Sequence, residues 1–312
     1  HMKTILIAGG CGFIGSNLCI RLLNENVHNH IICVDNLYSS KIDNIKTCID
    51  NKNFTFIHHN IIEPLCIDHE IDEIYHLACP ASPPLYQKDP IFTIKTNFIG
   101  TMNLLELAKM KSAKILLAST SEVYGEPLIS PQPECYRGNV STVGPRSCYD
   151  EGKRIAETLF MEYHNQFNVQ TRIVRIFNTY GPNMDRHDGR VVTNFISQIL
   201  NNKPITLYGD GSQTRSFQYI DDLLSGITKL MKTEYNLPVN IGNPVEITVK
   251  QLAVILCDLT GSETNFIYKE LPLDDPTNRR PDIQLAREVL GWEPIVELRK
   301  GLSNTIRHLQ TR

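Results

Sequence analysis

The sequence is short of net charge, of long apolar runs and of ordered cysteine spacing, and each shortage removes a class of function. Lys and Arg total 31 against 34 Asp and Glu, a formal net charge of −3 at pH 7, with a pI near 6.4. A balance this even gives no electrostatic reason to expect nucleic acid or an anionic membrane as partner, so any phosphate site must be local. No apolar stretch approaches the roughly 20 residues that span a bilayer, and no signal peptide precedes the first strand pattern. These features predict a soluble, cytoplasmic chain; a Golgi lumen stays open if an N-terminal anchor has been trimmed. His1-Met2 before Lys3 reads as the remnant of an expression tag. The nine cysteines lack the paired spacing of zinc ligands, and most sit in apolar runs such as residues 31–34. That pattern predicts a reducing compartment and no metal site. Internal repeats and low-complexity segments are also missing.

What is present is an alternation of short apolar runs with longer amphipathic stretches. The 312 residues are 41% hydrophobic and 21% charged, ordinary for one large globular domain or two closely joined ones. Residues 4–8, 31–34, 54–57, 74–77, 115–118 and 171–176 read as β-branched strands, and residues 13–26, 90–110 and 149–167 read as helices. This rhythm predicts an α/β fold, a Rossmann-type doubly wound parallel sheet covered on both faces. Beyond residue 177 the pattern loosens, punctuated by prolines from Pro182 to Pro281. A smaller C-terminal substrate-binding lobe over the carboxyl edge of the sheet is expected there.

After the first strand comes Gly9-Gly10-Cys11-Gly12-Phe13-Ile14-Gly15, leading directly into a helical pattern. Such glycines let the backbone approach a pyrophosphate, and the helix N-terminus stabilises its charge. A glycine-rich turn alone is a weak signal; the strand before it and the helix after it strengthen it. Asp35 closes the second strand about 20 residues on, where a carboxylate accepts from the adenosine ribose and repels a 2′-phosphate. NAD is therefore predicted over NADP.

Two further segments carry chemistry. In Tyr149-Asp150-Glu151-Gly152-Lys153 a phenol and an ammonium share a helix face, and a neighbouring cation favours phenolate. Such a pair often arises by chance; here it follows a dinucleotide motif at the distance a catalytic helix requires. Thr120-Ser121-Glu122-Val123-Tyr124-Gly125 follows a strand, which places its polar side chains at the carboxyl edge of the sheet, where Thr120 can hydrogen-bond a reacting oxygen.

With these motifs the chain resembles the extended short-chain dehydrogenase/reductase family, the NAD-dependent epimerases and dehydratases, and within it the UDP-glucuronate decarboxylases. The resembling segments include His76-Leu77-Ala78-Cys79-Pro80-Ala81-Ser82-Pro83-Pro84, Gly144-Pro145-Arg146-Ser147-Cys148-Tyr149, Arg175-Ile176-Phe177-Asn178-Thr179-Tyr180-Gly181-Pro182, Gly209-Asp210-Gly211-Ser212-Gln213-Thr214-Arg215, Arg279-Arg280-Pro281-Asp282 and Gly291-Trp292-Glu293-Pro294. They cover nearly the whole chain. Sugar-nucleotide 4,6-dehydratases usually carry an aspartate where Ser121 stands, and 4-epimerases a small or apolar residue where Glu122 stands; both differences point to decarboxylation.

The resemblance implies a division into residues 3–176, binding NAD and carrying the catalytic helix, and residues 177–312, mainly binding substrate, with segments able to return to the sheet. It implies catalysis by Tyr149, Lys153, Thr120, Glu122 and Ser121. Cofactor contacts are implied for Gly9, Gly12, Phe13, Ile14, Gly15, Asp35, Asn36, Asn60, Ile61, Leu77, Ala78, Cys79 and Thr96, together with Tyr149 and Lys153. Substrate contacts are implied for Pro80, Lys95, Asn178, Arg190, Tyr208, Gln213, Arg215 and Arg279, with Lys95 or Arg279 at the uronate carboxylate and Arg215 at the diphosphate. The chain departs from the family at Asn60, commonly aspartate near the adenine amino group, at Asn183, often arginine, and at Asp185-Arg186-His187. The implied product is UDP-xylose from UDP-glucuronate. Release of UDP-4-ketopentose with NADH, UDP-apiose/UDP-xylose synthesis and a silent NAD-binding sensor stay open as alternatives. A homodimer is implied, packed through the helices at 90–110 and 149–167.

Overall fold

A computed structural model describes residues 2–272 and 279–311; His1 of the expected tag remnant lies outside them. The strands β1 (Lys3–Ala8), β2 (Asn29–Asp35), β3 (Phe54–His58), β4 (Glu73–His76), β5 (Lys114–Thr120), β6 (Thr171–Ile176) and β7 (Pro238–Ile241) form one seven-stranded sheet in the order β7-β6-β5-β4-β1-β2-β3. Every neighbouring pair is parallel. The strand order reverses direction between β1 and β4, and a crevice at the carboxyl ends is expected there in a doubly wound sheet.

The pairing follows from side chains that are apolar on both sides of each strand. Ile5, Ile7, Ile31, Cys33 and Leu116 enter one core, while Leu6, Ala8, Ile32, Val34, Ile115 and Leu117 enter the other. Alternation at the period of a strand thus feeds two cores, and both faces must be covered by helices. α1 (Phe13–Glu25) packs Leu18, Cys19 and Leu22 on the first face. α2 (Pro90–Lys95), α3 (Thr101–Lys111) and α4 (Ser147–Phe167) lie against the second, to which Leu104, Leu105, Ala156 and Phe160 contribute.

The helix expected across residues 90–110 is interrupted. A π-helical turn, Thr96–Gly100, joins α2 to α3. Thr96 and Asn97 are both buried in this turn, and a methyl group on Gly152 of α4 would lie 3.0 Å from Asn97 Nδ2, so the bulge occupies the place where the two helices approach most closely. π-turns inside α-helices recur at functional sites.

Beyond β6 the chain builds short pairs. Thr179–Tyr180 runs with Gln218–Tyr219, Ile205–Tyr208 with Phe266–Lys269, and Thr214–Arg215 with Ile247–Thr248. Residues 238–241 return to the large sheet as its edge strand, beside β6. Trp292 anchors the C-terminal part, donating from Nε1 to the Asp222 carbonyl at 2.9 Å, while the Asp222 carboxylate accepts from the Ile295 and Val296 N–H groups.

Candidate active site

The glycine loop lies between β1 and α1, against the end of β4. Gly9 has φ +79°, and a methyl group there would sit 2.5 Å from the Leu77 carbonyl oxygen, so glycine is required for the loop to pass under Leu77-Ala78. A methyl group on Gly15 would lie 2.2 Å from the Gly9 carbonyl oxygen. Gly12 differs: a methyl group there would meet only the Gly9 oxygen, at 3.4 Å, so the chain leaves the space before it open. Gly12 is also the N-cap of α1 and provides no side-chain cap, leaving the first-turn N–H groups available to an anion. An open cradle on a helix N-terminus fits a dinucleotide diphosphate.

Asp35, buried at the end of β2, holds this loop from the side. Its Oδ2 accepts from the Cys11 N–H at 3.0 Å, and its Oδ1 accepts from the Leu37 N–H and the Ser40 hydroxyl, each at 2.8 Å. The carboxylate therefore orders the loop, and a carboxylate with roughly four acceptor positions keeps capacity for a ribose hydroxyl. Asn36 and Asn60 accept from the N–H groups two residues ahead, at Tyr38 and Ile62, and so shape the neighbouring turns. Ile61 is buried, with its carbonyl held by Asn103 Nδ2.

The residues expected to react lie around the carboxyl end of β5. Tyr149 and Lys153 are both buried on α4, with Lys153 Nζ 5.9 Å from the centre of the Tyr149 ring and donating to the Ala118 carbonyl at 3.0 Å. Thr120 ends β5 and caps the following turn by accepting from the Glu122 N–H. Burial raises the Tyr149 pKa well above its ordinary value and outweighs the opposing effects of Thr120 and Arg190. Burial lowers that of Lys153, with Cys79 and Glu157 acting the other way. The lowering of the phenol expected from a neighbouring cation is thus overridden in the chain by desolvation. Arg190, whose charge also acts on Tyr149, stands at the N-terminal boundary of the helix Val191–Leu200 without capping it through its side chain.

Glu122 is ion-paired with Arg279 through Oε1, and Arg279 Nη2 donates to the Gly125 carbonyl at 2.6 Å. The pair joins the catalytic turn to a segment 157 residues away. Ser121 is buried in the same turn. Beneath it lies a polar network: Glu157 receives Arg175 Nη2 at 2.7 Å and Nε at 3.1 Å and the Ser119 hydroxyl at 2.5 Å, while Arg175 also donates to Tyr124, whose hydroxyl donates to Asn240 at 2.7 Å. These bonds tie β5, β6, β7 and α4 together under Thr120 and Glu122.

The remaining expected positions spread around the cleft. Leu77, Ala78 and Cys79 follow β4 beside the glycine loop, and Cys79 Sγ accepts from Asn97 Nδ2 at 3.2 Å. Phe13 and Ile14 open α1, half-buried. Thr96 is buried in the π-turn, Pro80 is buried, and Lys95 is exposed on the outer helix α2. Asn178 and Tyr208 are exposed, whereas Gln213 and Arg215 are half-buried; Gln213 donates to the Tyr208 carbonyl at 3.0 Å. At the departure noted above, Asn183 has φ +72° and donates to Ser16 of α1 at 3.0 Å. Asparagine tolerates that backbone region better than most side chains, which suits it to this turn.

Several participants were not foreseen from the sequence. Tyr86 stacks on Tyr149, ring centres 4.6 Å apart and planes within 6°. Asn97, Glu157 and Arg175 support the site from below, and Asp150, next to Tyr149, is buried.

A family model described as GDP-mannose 4,6 dehydratase matches residues 6–305. UDP-glucuronic acid decarboxylase 5 of Arabidopsis thaliana is 54% identical over 298 residues, covering 96% of this chain and 86% of that protein. UDP-glucuronic acid decarboxylase 1 of Danio rerio is 49% identical over 306 residues, covering 98% and 72%. Among solved structures, a UDP-glucuronic acid 4-epimerase from Bacillus cereus, in complex with UDP-glucuronic acid and NAD, superposes with a TM-score of 0.86 at 30% identity, covering 99% of each chain.

Proposed function

Since the chain belongs to the GDP-mannose 4,6 dehydratase family of extended short-chain dehydrogenases/reductases, and within it to the UDP-glucuronic acid decarboxylases, we propose that it is an NAD-dependent enzyme converting UDP-glucuronate to UDP-xylose and CO2. The observation that carries this reading is the convergence of Tyr149, Lys153 and Thr120 with a Glu122–Arg279 pair, in a turn whose Ser121 lacks the acid a dehydratase needs.

When bound, NAD supplies the acceptor and later the donor of the C4 hydride, and its positive nicotinamide ring favours the Tyr149 phenolate. Tyr149 takes the C4 hydroxyl proton, and Thr120 holds that oxygen in place. With C4 a ketone, the carboxylate on C5 is β to a carbonyl, and the electrons of the C5–carboxylate bond can flow into it. Tyr149 and Thr120 then stabilise the enolate oxygen as CO2 leaves. Glu122 handles the proton at C5, and Tyr149 returns its proton to O4.

Arg279, already inside the site, is the cation proposed for the uronate carboxylate, ahead of the exposed Lys95. Pro80, Asn178, Arg190, Tyr208, Gln213 and Arg215 are proposed to line the sugar and diphosphate, which assigns most of residues 177–312 to substrate. The glycine loop, Asp35, Asn36, Asn60, Ile61, Leu77, Ala78, Cys79 and Thr96 are proposed to hold NAD. Ile91, Ile94, Phe98, Met110 and Ile155 are exposed on the helices of one face and support a homodimer packed through them. A monomer in sedimentation at micromolar concentration would remove that part. Among the described residues no helix is long and apolar enough to cross a membrane.

The reaction is tested by mass spectrometry of UDP-glucuronate incubated with the enzyme and NAD, with absorbance followed at the NADH band. UDP-xylose without net NADH is expected. UDP-4-ketopentose with stoichiometric NADH would replace the reading with oxidative decarboxylation, and a C4 epimer without CO2 would overturn it.

A further inference from the structure

The reaction proposed above returns the hydride it borrows, so NADH must stay in the cleft from the first hydride transfer to the second. If NADH leaves early, UDP-4-ketopentose is stranded. Whatever holds the dinucleotide in place therefore decides the product.

The cradle for that dinucleotide is the loop after β1, and β1 lies between β4 and β2 in the sheet. The segments that leave the carboxyl ends of those two neighbours meet each other. Tyr38 follows β2, in a loop whose Leu37 and Ile45 pack into the core of the first face. Phe92 belongs to the crossover after β4, on α2, which packs beside α4 on the second face. The Tyr38 and Phe92 ring centres lie 4.7 Å apart with planes tilted by 42°, and Lys88 Nζ stands 6.0 Å from the centre of the Tyr38 ring. A contact between chain segments that flank β1 on either side joins the two walls of the crevice across the end of that strand. From Phe92 the line of contacts continues inward. Its neighbour Thr93, fully buried, donates from Oγ1 to the Tyr86 carbonyl at 2.8 Å, and the Tyr86 ring stacks on Tyr149. The line thus begins beside Asp35 and ends on Tyr149, the same span as the dinucleotide in the proposed reading.

Its outer end is held in a costly form. Leu37 has φ +60°, a backbone region that a leucine enters only where its surroundings impose it. Asp35 Oδ1 accepts from the Leu37 N–H at 2.8 Å, and Asn36 Oδ1 accepts from the Tyr38 N–H at 3.0 Å. The carboxylate expected at the ribose therefore also sets the turn that presents Tyr38. Tyr38 itself is 38% exposed, so it is no core residue and can part from Phe92 without unfolding either wall.

We propose that Tyr38 and Phe92 form a latch across the dinucleotide groove, which retains NADH between the two hydride transfers and so sets UDP-xylose, not UDP-4-ketopentose, as the product. Parting of the two rings opens it for cofactor exchange. Retention is independent of the sugar, whereas the effect on the product rests on the decarboxylation reading.

Tyr38→Ala, Phe92→Ala, the double variant and Phe92→Tyr, each loaded with radiolabelled NAD, are chased with excess unlabelled NAD. Loss of the ring contact should speed NAD release about three- to tenfold, the worth of such an aromatic pair. The double variant should release NAD no faster than the quicker single one, since either change opens the same latch. Phe92→Tyr keeps the ring and should keep the parent's rate. With UDP-glucuronate, the alanine variants should divert a larger share of turnovers to UDP-4-ketopentose and free NADH. Single-turnover NADH formation should stay within about twofold of the parent, which also shows that these variants are folded. Alanine variants that hold NAD as long as the parent, or a double variant whose release rate multiplies the two single effects, overturn the latch. A parent that releases no CO2 overturns the decarboxylation reading alone, because the chase needs no sugar.

Discussion

The two ends of the cleft are built in opposite ways. The dinucleotide end comes mainly from one βαβ unit: the glycine loop, α1 and Asp35 lie within residues 9–35, and the hydrogen bonds from Cys11 and Leu37 to Asp35 are local. The sugar end is gathered from distant segments, with Glu122 tied to Arg279 across 157 residues and Glu157, Arg175 and Asn240 joined beneath it. One end draws its loop and carboxylate from a short piece of chain. The other exists only when the whole domain is folded, so its variants should divide sharply into those that stop chemistry and those that loosen the fold.

Tyr149→Phe should have the largest effect. Removing the group that accepts the O4 proton costs about 10²–10⁴-fold in kcat, with little change in thermal stability because the ring stacked on Tyr86 is kept. A rate within a few-fold of the parent would remove Tyr149 from the reaction. Glu157→Ala should do the reverse of Tyr149→Phe. It leaves Arg175 buried and unpaired, which destabilises a fold by about 3–5 kcal/mol, and thermal or denaturant unfolding should show it before any ligand is added. Unchanged unfolding would mean that the distant end does not depend on this network.

Within the dinucleotide end, Gly15→Ala and Gly12→Ala separate packing from ligand contact. The methyl group on Gly15 would meet a backbone oxygen at 2.2 Å and should cost about 1–3 kcal/mol of stability. The methyl group on Gly12 meets almost no protein, so unfolding should be unchanged while NAD binding weakens. If both variants lose stability equally, Gly12 faces protein and not cofactor. The smallest effect is selectivity. With Asp35 in place NAD should bind at least about tenfold more tightly than NADP, roughly 1.4 kcal/mol, and titration showing equal affinity would leave Asp35 only its part in ordering the loop.

The same contrast explains what could be read from the sequence. Strand alternation and the glycine run are local patterns, and they led to the sheet, its two covered faces and the dinucleotide cradle. The helix at residues 90–110 looked continuous because its apolar spacing contains no breaker before Gly100, and the π-turn is set by the approach of Gly152 to Asn97, a contact between distant segments. Glu122 was legible as an acidic residue just beyond β5, but its ion pair with Arg279 was not, since nothing in the sequence reports a contact across the domain. Tyr86 and Asp150 were missed for a related reason. One stacks on the Tyr149 ring from the short helix Pro83–Tyr86, and the other stands out only because burial leaves its oxygen unpartnered.

The most direct test of the account is single-turnover absorbance and CO2 release in Tyr149→Phe and Glu122→Gln, each mixed with UDP-glucuronate and NAD. Tyr149→Phe should form no transient NADH and release almost no CO2. Glu122→Gln keeps Tyr149, Thr120 and Lys153 in place, so enzyme-bound NADH should form and persist while turnover slows. Equal loss of NADH formation in both variants would contradict the assignment of Glu122 to C5 and place it in the oxidation step.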